Sequence, residues 1–418
     1  MKVAAVIAEY NPFHTGHFYQ LSQIRKQYDV DYIIIMMSGD FVQRGAPAIM
    51  DKYIRSQMAL SCGADLVLEL PVSYALGSAE YFAHGAVSLL HSLKVVNMLH
   101  FGSECGDIDI LSLLAKLFVE QPETYTEPLA SFLKEGLSFP VARAKASIQY
   151  FQQKNTRNIS EETLQAILTA PNNVLGIEYC KAITRLKSNI EPHTISRTGA
   201  HYHEKQIHDS QEYPSATAIR KALSQGTYDK QLQTLLPPSV WEIYQKERPV
   251  LLTENDFSAM LHYKLLMQKN RDYTEYLDVT PDLSDRIAKS LQQYHNFESF
   301  CMLLKSKNYT YTRICRCMFH ILLDIYQYDI TTQKDLQLPH FVRMLGFRKE
   351  ATPLLSEIKK NSDIVLLSKL ANYEKILSPK DQIKLQTDLN AYNIYHSVIT
   401  AKTGSAAISE FSRPTFPY

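Results

Sequence analysis

Two histidines three positions apart, His14 and His17, sit in the stretch EYNPFHTGH (residues 9–17), which follows an apolar run. If a helix begins near residue 14, both imidazoles stand on nearly one face at its positive end. Free backbone N–H groups already attract anions there. Imidazole donors at such a place suit the charge that grows on phosphate oxygens during displacement at phosphorus. Gly16 leaves room for a nucleotide to approach, and Pro12 fixes the turn into the helix. Taken alone, HxGH reads equally well as a tight turn with two partly exposed histidines. Zinc is the weaker option, since no acidic or cysteine third ligand lies at HExxH-like spacing. A second reactive segment, SATAIRKAL, brings Ser215, Thr217 and Arg220 to a helix start. An arginine there suits an anionic ligand and the hydroxyls add donors, though an ordinary capped helix has the same pattern.

Elements that alternate between strand and helix must position these residues. KVAAVIAEY (2–10), DYIIIMMSG (31–39), ADLVLELP (64–71) and VVNMLHFGSE (95–104) are apolar runs of strand length, with helical patterns between them. That alternation predicts βαβ crossovers and a parallel sheet, with ligands beyond the carboxyl ends of its strands. NPFHTGH, SGDFVQRG and FGSECGD all fall at such ends. Residues 107–188 read as helices and NIEPHTISR (189–197) as a further strand. LLPPSV (235–240) is the best linker, because its prolines break both helix and ladder. The expected organisation is an α/β, Rossmann-like domain over 1–234, followed by a mainly α-helical, tyrosine-rich domain over 235–418.

A net charge of +1 excludes a polybasic coat, so any nucleic acid must be held by a local patch. The second half carries a slight excess of Lys and Arg. Six scattered cysteines, of which only Cys315 and Cys317 are close, fit reduced thiols better than a metal knuckle. No signal-peptide form and no long apolar stretch is present, which leads to the expectation of a soluble, cytoplasmic protein.

AEYNPFHTGH, MSGDFVQRGAPAIMDKY, GADLVLELP, FGSECGD, PNNVLGIEYCKAI and SATAIRKAL, in that order, resemble the bacterial tRNA(Met) cytidine acetate ligase family, within the HxGH nucleotidyltransferase superfamily. The resemblance implies activation of acetate by ATP, accompanied by Mg²⁺, as acetyl-adenylate with release of pyrophosphate. The acetyl group then passes to the N4 amine of the wobble cytidine of elongator tRNA(Met). It assigns catalysis to His14, His17 and Arg220. The ATP site falls to the segment Ile7, Ala8, Glu9, Tyr10, Asn11, Pro12, Phe13, His14, Thr15, Gly16, His17, Phe18, Tyr19 and Gln20. Gly102, Asn172, Asn173, Arg197, Ser215 and Thr217 join that site, although one of the two asparagines also suits a helix cap. Ser38, Gly39, Asp40, Gln43 and Arg44 are expected to border the acetate and acceptor-base pocket. In KSKNYTYTRICRC, Lys305, Lys307, Arg313 and Arg316 would contact tRNA phosphates while Tyr309 and Tyr311 stack on unpaired bases. An amphipathic core helix with a solvated basic face gives the same pattern. A small-molecule adenylyltransferase shares the first half of this reading, and the basic tyrosine-rich helix argues against it. A decayed, RNA-binding nucleotide fold is countered by the intact His14, His17 and Arg220.

Overall fold

The computed structural model describes residues 1–137, 139–154, 159–197, 216–224, 230–268, 272–329, 340–413 and 416–418. Strand β1 (Val3–Ala8) leads into helix α1 (Thr15–Tyr28), and β2 (Tyr32–Ser38) returns parallel to β1. A short hairpin pairs Phe41–Val42 with Ala46–Pro47, ahead of α2 (Lys52–Ser61) and β3 (Leu66–Leu70). After α3 (Ala79–Ser92) come β4 (Met98–Ser103) and α4 (Ile108–Glu120), and later α5 (Pro171–Arg185) and β5 (Glu191–Ser196). These five strands are parallel to their neighbours in the order β3, β2, β1, β4, β5.

Every residue of β3 is buried, and both faces of β1 and β2 carry apolar side chains. Val3, Ala5, Ile34 and Met36 join one core, while Ala4, Val6, Ile33 and Ile35 join the core on the opposite face. A continuous apolar run therefore becomes a strand covered by helices on both sides.

Beyond residue 235 the chain is mainly helical, as expected, but it also returns to the sheet. Strand β6 (Phe341–Phe347) pairs antiparallel with β3, and it carries β7 (Val365–Leu367) and β8 (Phe416–Pro417) on its other side. A boundary at 235 thus falls between strands of one eight-stranded sheet. Without β6 the fully buried β3 would be an open edge. The sequence hides this strand because Arg343 interrupts its apolar run. Its charge is met only in three dimensions, with Nη1 at 2.8 Å from Glu410 and 3.2 Å from Glu69. Lys52 completes the buried group, with Nζ at 2.6 Å from both carboxylates.

Arg55, on α2, has no exposed surface. Its guanidinium donates to the carbonyls of Met50 (3.0 Å), Glu9 (2.6 Å), Ser38 (3.1 Å) and Gly39. One cation thereby satisfies the carbonyls where β1 and β2 end, which no ladder partner can reach. The hairpin is tied in the other direction, since Phe41 enters the core of the C-terminal helices 5.6 Å from Phe257 and 5.3 Å from Phe319. Helix α6 (Ala216–Ser224) precedes helix α7 (Tyr311–Leu322), and Gly45, at φ +75°, lies so close to α7 that a Cβ would overlap the Arg316 backbone nitrogen. Among the described residues no helix is long and apolar enough to cross a membrane.

Replacing Arg55 by Ala strands these carbonyls in a dry site, and the expected loss of stability is about 3 kcal/mol or more. Urea unfolding measures it; a change below about 1 kcal/mol would show that the strand ends hold without the clamp.

Candidate active site

His14 is the N-cap residue of α1, with extended backbone, and its Nδ1 accepts from the Gly16 amide at 3.1 Å. In return the His14 amide donates to His17 Nδ1 at 3.2 Å. This is a capping box built from two imidazoles, in which each ring satisfies an orphan donor of the helix start. A backbone N–H can only donate, so both Nδ1 atoms are unprotonated and both rings carry their proton on Nε2. The rings stack with centroids 3.7 Å apart and line the cleft at the carboxyl end of β1. Burial holds His14 down at about pKa 3, aided by the nearby Arg197 and Arg220 cations. Burial holds His17 well below its ordinary value too, with His14 and Arg197 adding to the effect. The pair is therefore a set of neutral N–H donors beside two guanidinium groups.

The turn before α1 is fixed from several sides. Asn11 Oδ1 accepts the Ile49 amide at 2.8 Å, and the Asn11 carbonyl accepts Arg220 Nη1 at 2.8 Å. Arg220 Nη2 and Arg44 Nη1 both donate to Thr217 Oγ1, at 3.1 and 3.0 Å. Helix α6 is thus joined to the histidine turn and to the hairpin through one hydroxyl. Tyr10, at φ +46°, sets its ring edge-on to His17 with centroids 4.8 Å apart. On the far wall the Arg197 amide extends the β4–β5 pairing to the Ser103 carbonyl at 2.9 Å. The Arg197 side chain crosses Gly102, where an added Cβ would press on its Cγ at 3.2 Å. Glu104 caps α5 by accepting the Asn172 amide (3.2 Å), the Asn172 side chain (2.7 Å) and the Asn173 amide (2.8 Å).

Ile7, Ala8, Glu9, Tyr10, Asn11, His14, His17 and Gln20 come together in one cleft with Gln43, Arg44, Gly102, Asn172, Arg197 and Arg220. Several expected members do not reach its wall. Phe13 is wholly buried, and Phe18 and Tyr19 stand on the outer side of α1. Pro12, Thr15 and Gly16 shape the turn behind the lining. Ser38, Gly39 and Asp40 are buried at the hairpin base, because the first two give their carbonyls to Arg55 and Asp40 accepts the Lys52 amide at 3.1 Å. Asn173 turns inward and fastens the Cys105 amide at 3.1 Å. Ser215 lies outside the described residues. Sequence reasoning missed Phe82, Phe101, Leu175 and Tyr179, which supply apolar wall. Phe101 and Tyr179 stood inside quoted motifs, but aromatic residues in buried elements carry no signal that separates a cleft wall from a core.

Around α7 the tRNA expectation needs one correction. Lys305 and Lys307 are exposed, whereas Tyr309 is buried: its hydroxyl meets Thr280 Oγ1 at 2.6 Å and the Arg313 guanidinium covers its ring at 5.1 Å. A ring so enclosed cannot stack on a base. Tyr311 is half-buried against the helical core, and Arg316 is half-buried behind Gly45.

A family model described as HIGH Nucleotidyl Transferase matches residues 1–409. The tRNA(Met) cytidine acetate ligase of Clostridium perfringens is 38% identical over 401 residues, covering 94% of this chain and 95% of that one. The chain belongs to the tRNA(Met) cytidine acetate ligase family. The ligase of Halothermothrix orenii is 39% identical over 407 residues, with 95% of this chain and 94% of that one covered. Crystal structures of Thermotoga maritima TmcAL, 31% identical, superpose with TM-scores of 0.91 (apo, 100% of both chains) and 0.88 (bound with alpha-thio ATP, 99% of this chain and 98% of that one). In this chain the HxGH turn is the histidine capping box described above.

Protonating either ring in this ligase would aim an Nδ1–H at a backbone N–H. In the ligand-free protein, imidazole NMR shifts of His14 and His17 should stay those of the neutral Nε2–H form from about pH 8 to 5.5. Titration of either ring near its ordinary value of about 6.5 would contradict the capping geometry.

Proposed function

We propose that this protein is an ATP-dependent tRNA(Met) cytidine acetate ligase. The observation that carries the chemistry is the pair of Nε2–H donors of His14 and His17, fixed in one tautomer and flanked by Arg197 and Arg220. Attack of acetate on the α-phosphorus of ATP needs stabilisation of charge on the departing pyrophosphate more than it needs a covalent nucleophile. The neutral imidazoles donate to those oxygens, and Arg220, set by Asn11 and Thr217, closes on the β- and γ-phosphates. Gly102 and Arg197 support adenosine on the far wall, with Asn172 nearby. Glu9 is the single carboxylate among the described lining residues, so a magnesium ion would travel on phosphate oxygens and water rather than in a protein cage. The acetyl-adenylate then gives its acetyl group to the N4 amine of the wobble cytidine, and AMP leaves.

Lys305 and Lys307 are the exposed cations of the tRNA-binding segment, with Arg313 half-buried beside them. We assign phosphate contacts to the two lysines. A tRNA substrate and acetate place the enzyme's work in the cytoplasm.

The decisive experiment incubates the protein with ATP, labelled acetate and tRNA(Met), and analyses the nucleosides for N4-acetylcytidine. His17→Ala should lower acetate-dependent exchange of labelled pyrophosphate into ATP by about 100-fold or more; an unaltered rate would return the motif to a purely structural turn. Lys305→Glu with Lys307→Glu should weaken tRNA binding about tenfold or more and flatten its salt dependence by about two units of slope. Equal affinity at low salt would remove this segment from the interface.

A further inference from the structure

The cleft is lined by Arg44, Arg197 and Arg220 together with two histidine donors, as a polyanion requires, yet Glu9 also opens into it. A carboxylate facing the nucleotide is unfavourable. Two negative charges brought close together in a partly dry cleft repel each other strongly. Glu9 is nevertheless held rigidly. Its carbonyl is clamped by Arg55 at 2.6 Å, and its Oε1 accepts the Gln43 amide at 3.0 Å. Among the described residues no hydrogen bond is made to Oε2. This half-buried side chain belongs to the wall shared with Gln43 and Arg44, and its field also reaches the Tyr179 hydroxyl. Arg220 instead anchors on Asn11 and Thr217, beside the histidine pair. The carboxylate thus belongs with the hairpin side of the cleft, while Arg220 on α6 and the neutral histidine donors of the α1 start stand together on the other.

We infer that Glu9 Oε2 is the proton acceptor for the amine in the acetyl-transfer step. This rests on the ligase reading above. The exocyclic amine of cytosine is a poor nucleophile, because its lone pair is spread into the ring. As its nitrogen bonds to the acetyl carbon, one N–H proton passes to Glu9 Oε2. The bond from the acetyl carbon to the phosphate oxygen then breaks, and AMP departs with the electron pair. Oε1 stays on Gln43, so one oxygen positions the group and the other takes the proton. Attack of acetate on ATP involves no such proton, which separates the two half-reactions.

Glu9→Gln keeps a carbonyl acceptor for Gln43 and removes the base. Two rates are compared at saturating ATP and acetate, in the variant and the native chain. One is acetyl transfer to saturating tRNA(Met). The other is trapping of the adenylate by hydroxylamine, whose free amine attacks without a base and yields acetohydroxamate and AMP. The expected result is that transfer falls by about 100-fold or more beyond any fall in trapping. Transfer and trapping that fall by the same factor would overturn the inference, and place Glu9 in activation of acetate or in holding magnesium. Transfer within about fivefold of the native rate would overturn it as well. Failure of the native chain to form acetohydroxamate from acetate would instead sink the ligase reading itself.

Discussion

The buried Arg55 guanidinium is the contact on which the site depends. Parallel strands end with carbonyls that point beyond the sheet, and in a ligand-binding crevice those groups need partners that do not block entry. Arg55 supplies them from below, by taking the carbonyls of Glu9, Ser38, Gly39 and Met50 at once. The approach to the histidine turn and the approach to the hairpin therefore share one anchor. Because a guanidinium presents its donors in a fixed planar fork, this anchor sets angles as well as distances.

A second economy lies in the histidines. A helix start leaves amides unsatisfied, and side chains such as Ser or Asp are the usual answer. Here two imidazoles do the capping, and the same bonds decide which nitrogen keeps its proton. In the mechanism we propose, capping and catalysis are coupled through the ring, since the nitrogen facing the backbone must be bare and the other is then a donor. Under that proposal, neutral donors would bind phosphate without repelling Arg197 and Arg220, which an imidazolium pair in a buried cleft would do.

The C-terminal half is not an appendage to this arrangement. Phe41 is buried among its aromatic side chains, Gly45 lies on the backbone of α7, and β6 closes the edge of β3. Lys52, Glu69, Arg343 and Glu410 then join α2, β3, β6 and the C-terminal segment in one buried ion group. Such groups add specificity of arrangement more readily than net stability, because desolvation offsets much of their attraction. The hairpin itself is held against the C-terminal half by Phe41 and Gly45, so the segment that carries Gln43 and Arg44 is positioned by both halves.

By itself the sequence determined the alternating strands and helices, the strand-end motifs, and the histidine pair at a helix start. Those features are local: apolar periodicity sets strand and helix, and the order of polar residues at strand ends needs no distant partner. It also carried the family, through six ordered blocks that were legible without a structure. Only the tertiary structure decided that FVRMLGF is a strand, because the charge of Arg343 is acceptable only beside Glu69 and Glu410. It decided likewise that Tyr309 is core and that Ser38 to Asp40 lie behind the wall, while Glu9 opens into the cleft. Residue type and spacing are the same for a side chain that turns toward a ligand and one that turns away. Which occurs depends on what packs behind it, and that is settled by residues far along the chain.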